Sequence, residues 1–255
     1  MKRILVIALN TFKENLRDKI LYNLVFFGLL LIGSSVLLGS LTIGAQIKIM
    51  KDLGLSSINA FGVLIAIFVG IGLVSKEIEK RTIYTIIAKP ISRYEFLLGR
   101  YSGLALTLFV NTAIMVVGFV CVLLLASVSL DVGLTKAIGL IFVELLLIVA
   151  VAVMFSTFST PTLSATFTLA IYVIGHLTGD LKSLGDKLEN PLISGMLNVL
   201  YYALPNLAYF NVKSEAVHGV PISWSYILLA VSYGATYAAL VMLVACVVFQ
   251  RRDFK

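Results

Sequence analysis

Charged positions in this chain are few and clustered, and long uncharged stretches separate the clusters. Strongly apolar runs extend from Ile20 to Ile47, Leu53 to Ser75, Tyr101 to Leu130 and Ala216 to Gln250. Another begins after Lys136 and continues to Gly179, interrupted only by Glu144. A helix crossing a bilayer needs about 20 apolar residues, so the first four runs each predict one span. The stretch from Ala137 to Gly179 is too long for one span and suits two. "STFSTPTLS", with Pro161 among clustered hydroxyls, is the expected break, because proline removes a backbone donor and clashes with the preceding turn. The pattern predicts spans near 20–44, 54–76, 100–127, 134–156, 160–179 and 224–249. The predicted fold class is therefore all-α, a polytopic membrane protein with six transmembrane helices in one domain over residues 1–255. An even number of spans puts both termini on one side.

Composition supports this reading. Of 255 residues, 60% are hydrophobic and 13% charged, against roughly 25% charged in an average soluble domain. The mean hydropathy of +1.02 argues against a soluble protein. Cys121 and Cys246 both fall inside expected spans and are read as small buried apolar residues, with no disulfide framework or metal site.

Charge assigns the sides. Of the 20 Lys and Arg, most lie in residues 2–19, 76–100 and 251–255. The other side holds Lys48, Lys51, Lys136, Lys182, Lys187 and Lys213. The positive-inside rule places both termini and the 76–100 cluster in the cytoplasm. The net charge of +7 then reflects topology and attraction to anionic lipid, and no nucleic-acid partner is expected.

Near the start, "ILVIAL" is only six apolar residues followed by polar "NTFKEN", so no cleavable signal peptide is expected. Residues 2–19 instead place Leu5, Leu9, Phe12 and Leu16 at helical spacing. That is the pattern of an amphipathic interfacial helix lying on the inner membrane surface.

The densest charge lies in "SKEIEKRTIYTIIAKPISRYEFLLGRYSG", residues 75–103. It divides into two helices. The first sets Ile83, Ile86 and Ile87 on one side and ends before Pro90, since a residue preceding proline is biased out of the α region. "SRYE" then offers Ser92 and Glu95 as a capping box for the next helix. A short exposed helix with apolar teeth and charges of both signs suits docking to a partner protein, whereas a lipid-surface helix would be more uniformly basic.

This stretch resembles the cytoplasmic segment of ABC transporter permeases of the type-2 exporter class. The matching positions are Glu77, Glu79, Thr82, Pro90, Ser92, Arg93, Gly99 and Arg100; Arg81 stands where that family more often has glycine. The order of interfacial helix, six spans and a large outer loop before the last span is similar along the whole chain. The resemblance implies that residues 79–89 are a cytoplasmic coupling helix seated in a groove of a separate ATP-binding subunit. Glu77, Glu79, Thr82, Ile83, Ile86, Ile87, Pro90, Ser92 and Arg93 would be the partner-coupling residues. It also implies a second permease chain, the same or similar, with ATP and Mg on the partner subunit and no cofactor in this chain. A G-x-x-x-x-G-K-[ST] phosphate loop is absent from the sequence, so ATP is not held here by that device.

Other residues invite chemistry. Glu144 lies midway along the fourth span, where a lone carboxylate costs about 2.5–3.5 kcal/mol by insertion scales. It reads as a substrate or proton contact in a translocation path, or equally as a packing residue hydrogen-bonded to a hydroxyl on another span. His176 and Asp180 are four apart at the outer end of the fifth span and should share a helix face. They could begin a metal site or a catalytic pairing, but no third ligand is near, and His218 lies elsewhere in the outer loop. Interfacial hydrogen bonding is the simpler reading. The loop at 180–223 contains "NPLISGMLNVLYYALPNLAYFN", apolar and divided by Pro191 and Pro205. It reads as a re-entrant loop of short helices, with Tyr201, Tyr202, Tyr209 and Trp224 as interfacial anchors. Such broken helices close the outer gate in the resembled family, and a surface for an outer-face protein is the competing use. An intramembrane enzyme using Glu144 or His176 is the rival function. An ion-gradient carrier would predict matched repeats, which the sequence does not contain.

Overall fold

The computed structural model describes residues 2–42, 44–79, 92–187 and 191–251. Those residues form ten α-helices and one 3-10 turn, with no strand among them. The helices are α1 (Lys2–Asn15), α2 (Lys19–Ser40), α3 (Gln46–Glu79), α4 (Arg93–Leu125) and α5 (Val132–Ser156). They continue with α6 (Pro161–His176), α7 (Thr178–Lys187), α8 (Pro191–Ala203), the 3-10 turn Leu207–Phe210, α9 (Lys213–His218) and α10 (Trp224–Arg251).

Helix α5 is the axis of the bundle. It is apolar on all sides, as a helix must be to sit at a core, and Leu145 and Leu147–Val153 are almost fully buried. Helices α3, α4, α6, α9 and α10 all pack on it. Helices α2, α4 and α10 bury one face each and expose large apolar side chains such as Phe26, Leu37, Leu125, Leu228 and Leu243 on the other. A contiguous belt of this kind marks a surface whose solvent is not water; here that solvent is lipid. Among the described residues, five helices are long and apolar enough to cross a membrane, and α6 with α7 makes a sixth if the two are counted as one unit bent by 62°.

The break falls near the end of the expected fifth span, 160–179. Helix α6 is 16 residues long, about 24 Å, and shorter than the roughly 30 Å hydrocarbon layer. Close packing accompanies its end. A Cβ on Gly175 would lie 2.9 Å from the Pro205 carbonyl oxygen, so the chain after Pro205 sits directly against the end of α6. The second membrane helix also differs from the run that predicted it. It begins at Gln46, ahead of the charged residues Lys48, Lys51 and Asp52, and continues to Glu79. At 34 residues it is about 51 Å long.

Helix α1 rests on α4 through a glycine seat. A Cβ on Gly103 would lie 2.5 Å from the Ala8 carbonyl oxygen, and one on Gly99 2.8 Å from Ile7 Cβ. Small residues at this spacing let two backbones approach closely. Ala8 and Thr11 are buried there, while Leu5, Leu9 and Leu16 remain exposed on the far side. Arg100 Nη1 meets Glu14 Oε2 at 3.0 Å, and Asn15 Nδ2 donates to Thr107 Oγ1 at 3.2 Å.

Candidate functional site

The segment 79–89, expected to couple to a partner, lies almost wholly outside the described residues, as do Thr82, Ile83, Ile86, Ile87 and Pro90. Its two flanks are described. The backbone of Glu77 and Glu79 forms the last turn of α3. On the return, Ser92 adopts the extended conformation of an N-cap residue, φ −70° and ψ 144°. Its backbone N–H donates to Glu95 Oε2 at 3.2 Å, the return limb of the capping box. Arg93 reaches across to the last helix, where its Nη1 donates to the carbonyls of Phe249 and Gln250 at 3.1 and 2.9 Å. Those are among the carbonyls that a helix end leaves without internal partners, so Arg93 closes the C-terminus of α10 from the neighbouring chain segment. Phe96 stacks on Phe249 with centroids 6.1 Å apart.

The second feature is a polar junction inside the bundle. Glu144, only 1% exposed, accepts a hydrogen bond through Oε2 from Asn59 Nδ2 of α3 at 2.8 Å. Asn59 Oδ1 accepts from the Tyr172 hydroxyl of α6 at 2.8 Å. Glu144 Oε1 faces His176 Nε2 at 3.3 Å. His176 Nδ1 lies 3.1 Å from the Tyr172 carbonyl oxygen, and the two rings pack with centroids 4.7 Å apart. Three helices are thereby tied at one level by side chains that hydrocarbon alone would not tolerate.

The Tyr172 carbonyl can only accept, so the His176 tautomer that suits this geometry carries its hydrogen on Nδ1.

Sequence reasoning found Glu144 and His176 but not their pairing, and it missed Asn59 and Tyr172. The packing reading of Glu144 looked to a hydroxyl; the Asn59 amide takes that place, with the His176 ring facing the other carboxyl oxygen. The helix face expected to be shared by His176 and Asp180 is not continuous, because α6 ends at His176 and Asp180 belongs to α7 beyond the 62° bend. A signal for the true partner was available in the other direction. Tyr172 and His176 are also four apart and do share a face of α6. No cluster of three or more metal-ligating side chains occurs among the described residues. His218 lies apart on α9, its Nδ1 bound to the Ser214 carbonyl at 2.9 Å.

The region after α7 fastens to α10 through tyrosines. Tyr237 donates to the Ala203 carbonyl at 2.8 Å, Tyr226 donates to the Tyr209 carbonyl at 2.8 Å, and the Tyr233 hydroxyl accepts from Asn206 N at 2.9 Å. Leu207 and Phe210 are fully buried, whereas Tyr202 and Trp224 are exposed. Lys136 Nζ stands 4.4 Å over the Trp224 ring.

No curated protein sequence matches the chain. Residues 5–254, nearly the whole chain, match the family model described as ABC-2 family transporter protein; the chain belongs to that family and is the multi-pass membrane component of an ABC transporter.

Proposed function

We propose that this chain moves a substrate outward across the plasma membrane of a prokaryote, driven by a separate ATP-binding subunit that docks at residues 79–89. The observation that carries the reading is the length of α3. At about 51 Å it exceeds the roughly 30 Å hydrocarbon thickness, and in this reading its Glu79 end reaches into the cytoplasm. The same helix holds Asn59 of the buried junction. A push on the projecting end is therefore transmitted to the junction as a rigid-body displacement. Both termini and the coupling segment face the cytoplasm in this reading, as the lysine and arginine distribution favours. A second permease chain completes the path.

In this reading Glu144 belongs to the translocation path at its closed waist. Its burial to 1% exposure describes a state in which α3, α5 and α6 are drawn together, and transport requires that they part. The same movement without a cargo would transmit force to an outer-face protein through α7–α9. The enzyme reading gains no support, since Glu144 is only 1% exposed and is engaged by Asn59 of α3.

The test is affinity purification of the tagged chain from its native membrane, with Ile83→Asp and Ile86→Asp in parallel. Co-purification of an ATP-binding subunit with wild type, and its loss from the variants, supports the proposal. A folded wild-type chain that brings down no ATP-binding protein overturns it.

A further inference from the structure

At the end of the bundle where α2 finishes and α3 begins, α9 folds back over α3 and α5. Between α9 and α3 lies a cleft of about 710 Å³. Its polar lining comes from Lys48 and Asp52 of α3 and from Asn211, Lys213, Ser214 and His218 on the other wall. The junction at Glu144 is a separate place, buried deeper.

The charges of this cleft are not balanced. Lys48 and Lys213 enter it from different helices, and among the described residues no carboxylate lies within ion-pair distance of either. Asp52, one turn after Lys48, leaves the lining with a cationic excess. Two ammonium groups lining one cleft repel, although Lys48 is exposed and Lys213 partly exposed, so solvent and salt screen the repulsion. The arrangement becomes favourable when an anion sits between them, because charge-assisted hydrogen bonds to both are formed at once. The Asn211 amide and the Ser214 hydroxyl add neutral donors. The volume lies within the range of small-molecule sites, roughly 300–1,000 Å³, and exceeds what a bare ion fills. Leu53 and Val217 supply apolar wall for the rest of a ligand.

We propose that this cleft is a binding site for a phosphate group carried on a larger body, with Lys48 and Lys213 as its two cationic contacts. Such a group belongs either to a lipid headgroup or to a soluble phosphate ester. The site bridges α3 to α9, so occupancy holds α9 down on the bundle. The site is independent of the transport reading and would exist in a chain that only transmits force.

The experiment uses the chain, with whatever subunits accompany it, in phosphatidylcholine nanodiscs. Thermal unfolding is followed while phosphatidylglycerol is raised in the discs, and separately while glycerol 3-phosphate is added to the buffer. One of the two should raise the wild-type midpoint saturably. Lys48→Gln with Lys213→Gln should weaken that response by at least about tenfold, while the paired arginine variants keep it. Lys182→Gln, outside the cleft, should respond as wild type. A response to phosphatidylglycerol alone identifies a headgroup, and one to glycerol 3-phosphate alone a soluble ester. No saturable response to either probe, or an equal response in the paired glutamine variant, overturns the proposal. The unliganded midpoint of that variant, expected at or above the wild-type value once repulsion is relieved, shows that it folds.

Discussion

Asn59 Nδ2 lies 2.8 Å from Glu144 Oε2, and its Oδ1 takes the Tyr172 hydroxyl at the same distance, so one amide serves two helices. Such a residue has no conservative replacement, since it must donate on one side and accept on the other.

Replacing Asn59 with leucine leaves a buried carboxylate short of a donor and a tyrosine short of an acceptor. The expected cost is about 1–3 kcal/mol for each unsatisfied group, read as a lower unfolding midpoint in detergent. The double variant Asn59→Leu/Glu144→Leu should recover part of that loss. Additivity of the two single variants would disprove the coupling.

Glu144→Gln should fold nearly as well as wild type. Its amide oxygen still accepts from Asn59 and its NH₂ can donate to His176 Nε2. Glu144→Ala, by contrast, strands both partners and should cost about 3 kcal/mol or more. A thermal melt of the three proteins side by side checks the order.

The seat of α1 predicts a sharp contrast between glycines. Gly103→Leu drives a side chain into the Ala8 backbone and should destabilise by about 1–3 kcal/mol, freeing α1 to proteolysis. A Cβ on Gly33 would meet nothing within 4 Å, so Gly33→Leu should leave the melt unchanged. Equal behaviour of the two would rule out the packing of α1 on α4.

Arg93→Gln should loosen the end of α10. Two charge-assisted hydrogen bonds are lost, each worth about 1.5–3 kcal/mol when sheltered and less here, where one of them is exposed. Limited proteolysis near Arg251 should quicken several-fold, with Arg93→Lys intermediate because an ammonium lacks the planar fork.

Much of this architecture was legible in the sequence. Apolar run lengths located the long helices, Pro161 marked the α5–α6 break, and Ser92 with Glu95 marked the start of α4, because each signal is local. The bend after His176 was not legible, since it goes with the packing of Pro205 and Leu207 on Gly175, contacts some thirty residues away. The same holds for the junction. Asn59 looks like an incidental amide in an apolar run until α3 lies beside α5. The apolar stripe of α1 was visible, but small Ala8 and Thr11 face the bundle while Leu5 and Leu9 face away. Close backbone approach, and not hydrophobicity, chooses that face. Arg93 was identified by resemblance as a coupling residue; its cap on α10 needs the three-dimensional neighbour to be seen.

The shortness of α6 has a consequence for how the chain is made. With 16 residues and the polar groups of Tyr172 and His176 near its far end, α6 is a poor candidate to leave the insertion machinery for lipid unaided. Its partners, Asn59 and Glu144, belong to helices synthesised earlier. Helix α6 can therefore partition into the membrane as a late guest of an already inserted α3 and α5. Biogenesis then proceeds in two acts, a four-helix platform first and the broken, tyrosine-fastened remainder docking onto it once α10 has emerged.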